Sequence, residues 1–172
     1  MEIKEKIRTI SDWPKPGIMF KDITPLLADK DSFKQMVDLL AEHYKDFSID
    51  KIVAIESRGF IIGSALAIVM GLGFVPIRKK GKLPAETVME EYELEYGKDK
   101  IEMHLDSLKK GEKVLLVDDL VATGGTALAA CRLIEKVGAK IVNCVFVIDL
   151  PDLQGSKKLQ AKNYEVFNLI SF

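Results

Sequence analysis

Asp118 and Asp119 follow four apolar residues, Val114-Leu115-Leu116-Val117, and lead through Leu120-Val121 into Ala122-Thr123-Gly124-Gly125-Thr126. An apolar strand, two acids at its carboxyl end, a Thr/Gly loop and then a helix sit at the edge where open α/β sheets take ligands. Backbone N–H groups of Ala122, Thr123, Gly124, Gly125 and Thr126 can approach an anion closely. The two threonine hydroxyls can donate as well, and the following helix adds the partial positive charge of its N-terminus. The loop fits a phosphate cradle. Both GxxxxGK[ST] and GxGxxG are absent, so it is neither a P-loop nor a dinucleotide fingerprint. A Gly-Gly pair before a helix is by itself an ordinary strand-to-helix turn, and the acids tip the balance. Adjacent carboxylates repel a phosphate unless the ligand also brings sugar hydroxyls or a divalent cation. A ribose 5-phosphate group meets both demands.

Other residue types are less decisive. Arg78-Lys79-Lys80-Gly81-Lys82 is a basic cluster that reads as a solvated loop or a seat for a polyanion, and Ser57-Arg58-Gly59 is a turn carrying one cation. Glu91, Glu93 and Glu95 alternate with Tyr92, Leu94 and Tyr96. His43 and His104 stand outside any HxH, HExxH or GxSxG context, so a metal triad or serine hydrolase is unsupported. Cys131 and Cys144 fall in apolar runs without CxxC spacing, as small reduced core residues do.

The elements that must position these groups follow from the apolar pattern. Ile3, Ile7 and Ile10 recur at helical spacing, and Ser11 to Gly17 is a loop of turn formers. A second helix runs through Phe33, Met36, Val37, Leu40 and Tyr44, with Asp31 or Ser32 as its cap. Lys51 to Ile55 is a continuous apolar run of the sort a doubly buried parallel strand needs. The uncharged run Phe60 to Ile77 is broken by Gly71 and Gly73 into a helix and a strand, which argues against a membrane span. Residues 78–100 form a mobile or hairpin-like excursion. Strands at Ile101 to Leu105, Val114 to Val117 and Ile141 to Ile148, a helix from Ala127 to Val137 stopped by Gly138, and a last edge strand at Tyr164 to Leu169 complete the pattern. The expected fold is α/β, an open, mostly parallel twisted sheet flanked by helices in a single domain spanning residues 1–172.

With 25 Lys+Arg against 26 Asp+Glu, the formal net charge of -1 removes the global positive field expected of a nucleic-acid or anionic-membrane binder. The charged start Met1-Glu2-Ile3-Lys4-Glu5-Lys6 has no apolar segment behind it, and the expectation is a cytoplasmic protein.

The stretch from Val114 to Thr126 resembles the signature of the type I phosphoribosyltransferases. Pro16-Gly17-Ile18-Met19-Phe20-Lys21-Asp22-Ile23-Thr24-Pro25, Glu56-Ser57-Arg58-Gly59-Phe60, Ile77 to Pro84 and Leu94-Glu95-Tyr96-Gly97 make the chain similar to the adenine branch of that family. The resemblance implies transfer of a 5-phosphoribosyl group from phosphoribosyl pyrophosphate to N9 of adenine, giving AMP and pyrophosphate with Mg2+ carried by the substrate. In it Asp118 and Asp119 accept from the ribose hydroxyls, one of them reaching the metal through water, and Ala122 to Thr126 hold the 5-phosphate. Arg58, Arg78, Lys79 and Lys82 meet pyrophosphate, the turn at Ser57 often contains a non-proline peptide of unusual geometry, and Met19, Phe20 and Lys21 bind the base. Some relatives carry Arg at the position of Lys21, whose forked side chain would act differently. Glu95 assists at the adenine imidazole, and Tyr96 joins the substrate-binding set. The resemblance further implies a small base-binding hood at about residues 11–28, a flexible lid at about 81–97, and a homodimer. Two other readings stand beside it: a transferase for another purine, and a phosphoribosyl-pyrophosphate-sensing regulator that binds nucleic acid.

Overall fold

The computed structural model describes residues 3–93 and 97–172, and the chain divides into two compact units, Met1–Lys45 and Asp46–Phe172.

In the first unit the helix expected from Ile3, Ile7 and Ile10 is confined to one 3-10 turn, Ile3–Lys6. Beyond it the chain extends into β1 (Arg8–Ser11), which pairs antiparallel with β2 (Met19–Asp22) from Arg8↔Asp22 to Ser11↔Met19. Helical spacing of three isoleucines is overridden by this ladder and by the cross-strand Arg8–Asp22 ion pair, whose Nε–Oδ2 distance is 3.1 Å. A short helix, α1 (Thr24–Ala28), carries Pro25 in its first turn, where the missing N–H costs nothing. In α2 (Lys30–Tyr44), Met36, Val37, Leu40 and Tyr44 form the buried stripe that their spacing predicts. Its cap is Asp29 rather than Asp31 or Ser32. The Asp29 carboxylate accepts from the Ser32 N–H at 2.9 Å, so Ser32 supplies the donor that a cap exists to satisfy.

In the second unit seven strands form one sheet in the order β5-β6-β4-β3-β7-β8-β9. β3 (Lys51–Ile55), α3 (Arg58–Met70) and β4 (Gly73–Lys79) make the expected parallel βαβ unit, with the uncharged run divided where Gly71 and Gly73 stand. No described helix is long and apolar enough to cross a membrane. β5 (Thr87–Glu93) and β6 (Lys98–His104) form an antiparallel hairpin that joins β4 through Arg78↔Glu102 and Lys79↔Ile101. The glutamates of β5 thus lie on an edge strand, where charge discourages pairing with another chain.

β7 (Lys113–Val121) lies between β3 and β8 (Lys140–Asp149), parallel to both. It runs further than the apolar run alone implies. Pairing with β8 continues through Asp118↔Phe146 to Val121↔Asp149, so the acid pair lies inside the strand's second half rather than beyond it. The helix α4 (Gly125–Lys136) follows, then β8, a 3-10 turn at Pro151–Leu153, the short helix α5 (Gly155–Gln160) and the edge strand β9 (Val166–Ser171). The 3-10 turn and α5 are not visible in the apolar pattern. Ile52, Val53 and Ala54 of β3, Val114 to Val117 of β7 and Cys144 to Ile148 of β8 are wholly buried. Each large aliphatic side chain there contributes about 1.5–3 kcal/mol, which fixes the central strands as the platform for whatever their carboxyl ends carry.

Candidate active site

The loop Ala122 to Thr126 leaves β7 at the carboxyl edge of the sheet and turns into α4 through Gly124, whose φ of +76° is left-handed. Two constraints meet at that glycine. A Cβ on it would be strained by φ and would also lie 2.8 Å from the Gly155 carbonyl oxygen. Gly155 is equally confined, since its own Cβ would fall 2.3 Å from the Ala122 carbonyl oxygen and 2.8 Å from the Gly124 nitrogen. The start of α5 therefore braces the loop from behind. It is held there by the next residue, because Ser156 Oγ donates to Asp149 Oδ1 at 2.9 Å and accepts from Asn168 Nδ2 at 3.0 Å. Asp149 and Ser156 are both buried. Sequence reasoning missed Gly155, Asp149 and Ser156, because nothing local marks a contact made thirty residues away.

The acid pair stands beside this loop. Asp118 Oδ1 accepts from the Asp119 N–H at 2.8 Å, and Asp119 Oδ2 accepts from Arg58 Nε at the start of α3. That helix approaches closely because residue 59 is glycine: a Cβ there would lie 2.8 Å from Asp118 Oδ1 and 3.1 Å from the Val117 carbonyl oxygen. Burial, and then the neighbouring charge of Asp119, push the Asp118 carboxyl well above the usual carboxylate range. The Glu56–Ser57 peptide before α3 is cis, in keeping with what the resemblance implies for this turn. Ser57, Arg58, Lys79, Tyr92, the two aspartates and the whole 122–126 loop line one pocket of about 550 Å³.

The basic cluster is split. Lys79 reaches this pocket, where its ammonium pairs with Asp99 of β6 at 3.0 Å. Arg78 and Lys82 are instead paired with Glu56, at 2.9 and 2.7 Å. Burial opposes the charge on Glu56, but these two cations outweigh it and hold its carboxyl below the usual range. Glu56 lines the pocket too, an acid that the sequence motif contains but composition does not single out. Tyr92 of β5 donates to Asp99 Oδ2 at 3.3 Å and also contacts the Thr126 hydroxyl.

Met19, Phe20 and Lys21 belong to the first unit, on β2 rather than in a loop. Met19 is exposed, Phe20 packs edge-on against Trp13 with centroids 4.4 Å apart, and Lys21 Nζ donates to Thr9 Oγ1 at 2.9 Å. Glu95 and Tyr96 lie outside the described residues. His43 stacks edge-on against Tyr44, and His104 Nε2 accepts from the Ala85 N–H at 3.3 Å, which are packing and surface roles. Cys131 and Cys144 are free and buried. Among the described residues no group of three or more His, Cys, Asp or Glu side chains is placed to hold a metal ion.

What this pocket can do chemically is to take a phosphate on a backbone cradle, hydroxyls on two carboxylates, and further negative charge on Arg58 and Lys79. Known proteins agree with that chemistry. The phosphoribosyl transferase domain model matches residues 23–172. The adenine phosphoribosyltransferase of Prosthecochloris aestuarii is 58% identical over 174 residues, covering 100% of this chain and 98% of its own. Among solved structures, adenine phosphoribosyltransferase from Thermoanaerobacter pseudethanolicus superposes with a TM-score of 0.95 at 48% identity, covering 99% of this chain and 98% of that one. The Saccharomyces cerevisiae enzyme, complexed with adenine and an imino-altritol bisphosphate, gives 0.92 at 40% identity, covering 98% and 96%. A Thr/Gly loop beside an acid pair, inside a fold and a sequence shared over full length with these enzymes, leaves one assignment: the chain belongs to the adenine phosphoribosyltransferase family.

Proposed function

We propose that the chain transfers the 5-phosphoribosyl group of phosphoribosyl pyrophosphate to N9 of adenine, releasing pyrophosphate and forming AMP. The observation that carries this reading is the single pocket in which Asp118, Asp119, Arg58, Lys79 and the 122–126 loop converge. In the reaction the N9–C1 bond forms, the bond from C1 to the pyrophosphate oxygen breaks, and the imidazole proton leaves N9. The loop holds the 5-phosphate by its N–H groups and threonine hydroxyls, and the two aspartates accept from the ribose 2- and 3-hydroxyls. Arg58 and Lys79 face the pyrophosphate. Arg78 and Lys82, engaged by Glu56, act there only once that pairing is exchanged for the ligand. The transition state is oxocarbenium-like, so fixed charges and positioning provide most of the acceleration.

Glu95 accepts the imidazole proton and Tyr96 contacts substrate. Residues 81–97 act as a lid against water, the competing nucleophile. Met19, Phe20 and Lys21 read adenine: backbone N–H and C=O groups meet N1 and N6, and apolar side chains cover the ring faces. The oxygens of Asp118 and Asp119 suit Mg2+, which when bound neutralises part of the charge on pyrophosphate. A homodimer is supported by the apolar surface that α3 exposes, where Ile68 is 81% and Val69 55% accessible.

One assay tests the reading. Phosphoribosyl pyrophosphate and Mg2+ are supplied with adenine, guanine, hypoxanthine or xanthine, and pyrophosphate release is followed. Release with adenine alone is the expected result. Preference for another base would reassign the substrate, and tight binding without release would favour the regulator.

A further inference from the structure

Four side chains from four elements form a hydrogen-bonded chain across the pocket. The ammonium of Lys79 on β4 pairs with Asp99 on β6 at 3.0 Å, and the same carboxylate accepts from the Tyr92 hydroxyl on β5 at 3.3 Å. The Tyr92 hydroxyl also contacts the Thr126 hydroxyl in the first turn of α4, and both residues line the pocket. Protons fix the direction of this chain. An ionised carboxylate has none to give, so Tyr92 spends its one proton on Asp99 and Thr126 spends its one proton on Tyr92. The two terminal members, Lys79 and Thr126, are groups that the proposed function assigns to pyrophosphate and to the 5-phosphate. In the structure both are held by the hairpin.

We propose that Tyr92 and Asp99 form an anion-released latch: they occupy the Thr126 hydroxyl and the Lys79 ammonium while the site is empty, and phosphoribosyl pyrophosphate displaces them. The inference rests on the reading of residues 122–126 as the phosphate loop. Thr126 cannot donate to a phosphate oxygen and to Tyr92 at once. Binding of the phosphate therefore breaks one neutral hydrogen bond to make a charge-assisted one, which is shorter and stronger. Lys79 likewise exchanges one anionic partner for another. The latch lowers the apparent affinity for the phosphoribosyl donor, and it couples occupation of the phosphate loop to the hold on the hairpin. Adenine, which carries no phosphate, is not opposed by it.

The test is equilibrium binding of phosphoribosyl pyrophosphate with Mg2+ to the full chain, in the absence of adenine, for four proteins: parent, Tyr92→Phe, Thr126→Val and the double variant. Tyr92→Phe keeps the ring and removes only the hydroxyl. It should bind the donor about two- to tenfold more tightly than the parent, the range expected for releasing one neutral hydrogen bond, with KM for adenine unchanged. In the Thr126→Val background, which should bind more weakly, the gain from Tyr92→Phe should vanish. Unchanged or weaker binding by Tyr92→Phe, with Thr126→Val weakened, overturns the latch and leaves the phosphate loop standing. A gain that persists in the double variant also overturns it. Parent-like binding by Thr126→Val removes Thr126 from the phosphate site, and the latch falls with it. Melting temperatures within a degree or so of the parent for Tyr92→Phe exclude a folding defect as the cause.

Discussion

The backbone of Gly155 presses against that of Gly124, so closely that a Cβ on Gly155 would stand 2.8 Å from the Gly124 nitrogen and 2.3 Å from the Ala122 carbonyl oxygen. Neither neighbour can yield without moving the loop, because both are main-chain atoms. Gly155→Ala should therefore displace the phosphate cradle as well as cost about 1–3 kcal/mol of stability, the usual range for overpacking. Kinetics separate the two effects. KM for phosphoribosyl pyrophosphate should rise at least about tenfold, which is a loss of about 1.4 kcal/mol in binding, while KM for adenine stays near the parent's value. A variant that loses stability but keeps both constants would show that α5 braces the fold and not the site.

Arg58 and Asp119 are tied to each other by an ion pair. Each is assigned a ligand contact, pyrophosphate for the arginine and a ribose hydroxyl for the aspartate, yet each also holds its partner in place. Arg58→Ala and Asp119→Asn should each weaken use of phosphoribosyl pyrophosphate by about 1.5–3 kcal/mol, the scale of a charge-assisted hydrogen bond. Their double variant should lose less than the sum, since the second change removes a group already misplaced by the first. Full additivity in kcat/KM for the donor would mean that the ion pair does not position either residue. Equal losses toward adenine would point to folding instead.

Asp118 sets function against stability. Its carboxyl is partly buried and lies beside the charge of Asp119, so its pKa in the folded chain is raised above the ordinary 3.8. A raised value means that the folded state holds the proton more tightly than the unfolded one. The associated stability is present below 3.8 and is lost as pH rises through the raised value. Above the raised value the ionised side chain is a liability to the fold, and under the proposed function it is kept there to accept from a ribose hydroxyl. Asp118→Asn should raise the melting temperature at pH 7 while lowering kcat/KM for phosphoribosyl pyrophosphate. The stability difference should shrink as pH falls below the folded value. A lower melting temperature at pH 7 would show that its hydrogen bond from the Asp119 N–H outweighs the buried charge.

Much of the site could be read from the chain because its parts are contiguous. The buried runs at Ile52 to Ile55, Val114 to Val117 and Cys144 to Ile148 announce parallel strands by apolar continuity alone, and residues 118–126 attach acids and loop to one of them. What could not be read depends on partners far along the chain. Gly155 is confined by Ala122 and Gly124, Lys79 by Asp99, and Arg78 and Lys82 by Glu56. The first strand was hidden for the same reason: Ile3, Ile7 and Ile10 keep a helical period, but residues 8–11 are claimed by pairing with 19–22. The α2 cap was misplaced for a local reason: Asp31 and Ser32 both suit a cap by type, but the Ser32 N–H donates back to Asp29.

The last prediction concerns the hairpin. Its strands are pinned from both sides: Glu91 bridges Lys98 and Lys100 at 2.8 and 3.3 Å, and Lys136 of α4 donates to the Met89 carbonyl at 2.7 Å. Glu95 is the residue proposed to accept the imidazole proton. Glu95→Gln keeps size and removes the base, so binding of both substrates should persist while the chemical step slows, by roughly 10²–10⁴-fold where proton transfer limits the rate. Single-turnover measurement is needed, because slow product release can hide a chemical defect in the steady state. The control must remove one negative charge from the same excursion without disturbing the hairpin. Glu91 is unsuitable, since its bridges join the two arms; Glu86 is exposed just before β5 and serves better. Glu86→Gln should turn over like the parent. If Glu95→Gln does so too in a single turnover, the carboxylate handles no proton, and adenine must lose its imidazole proton to water or to another group.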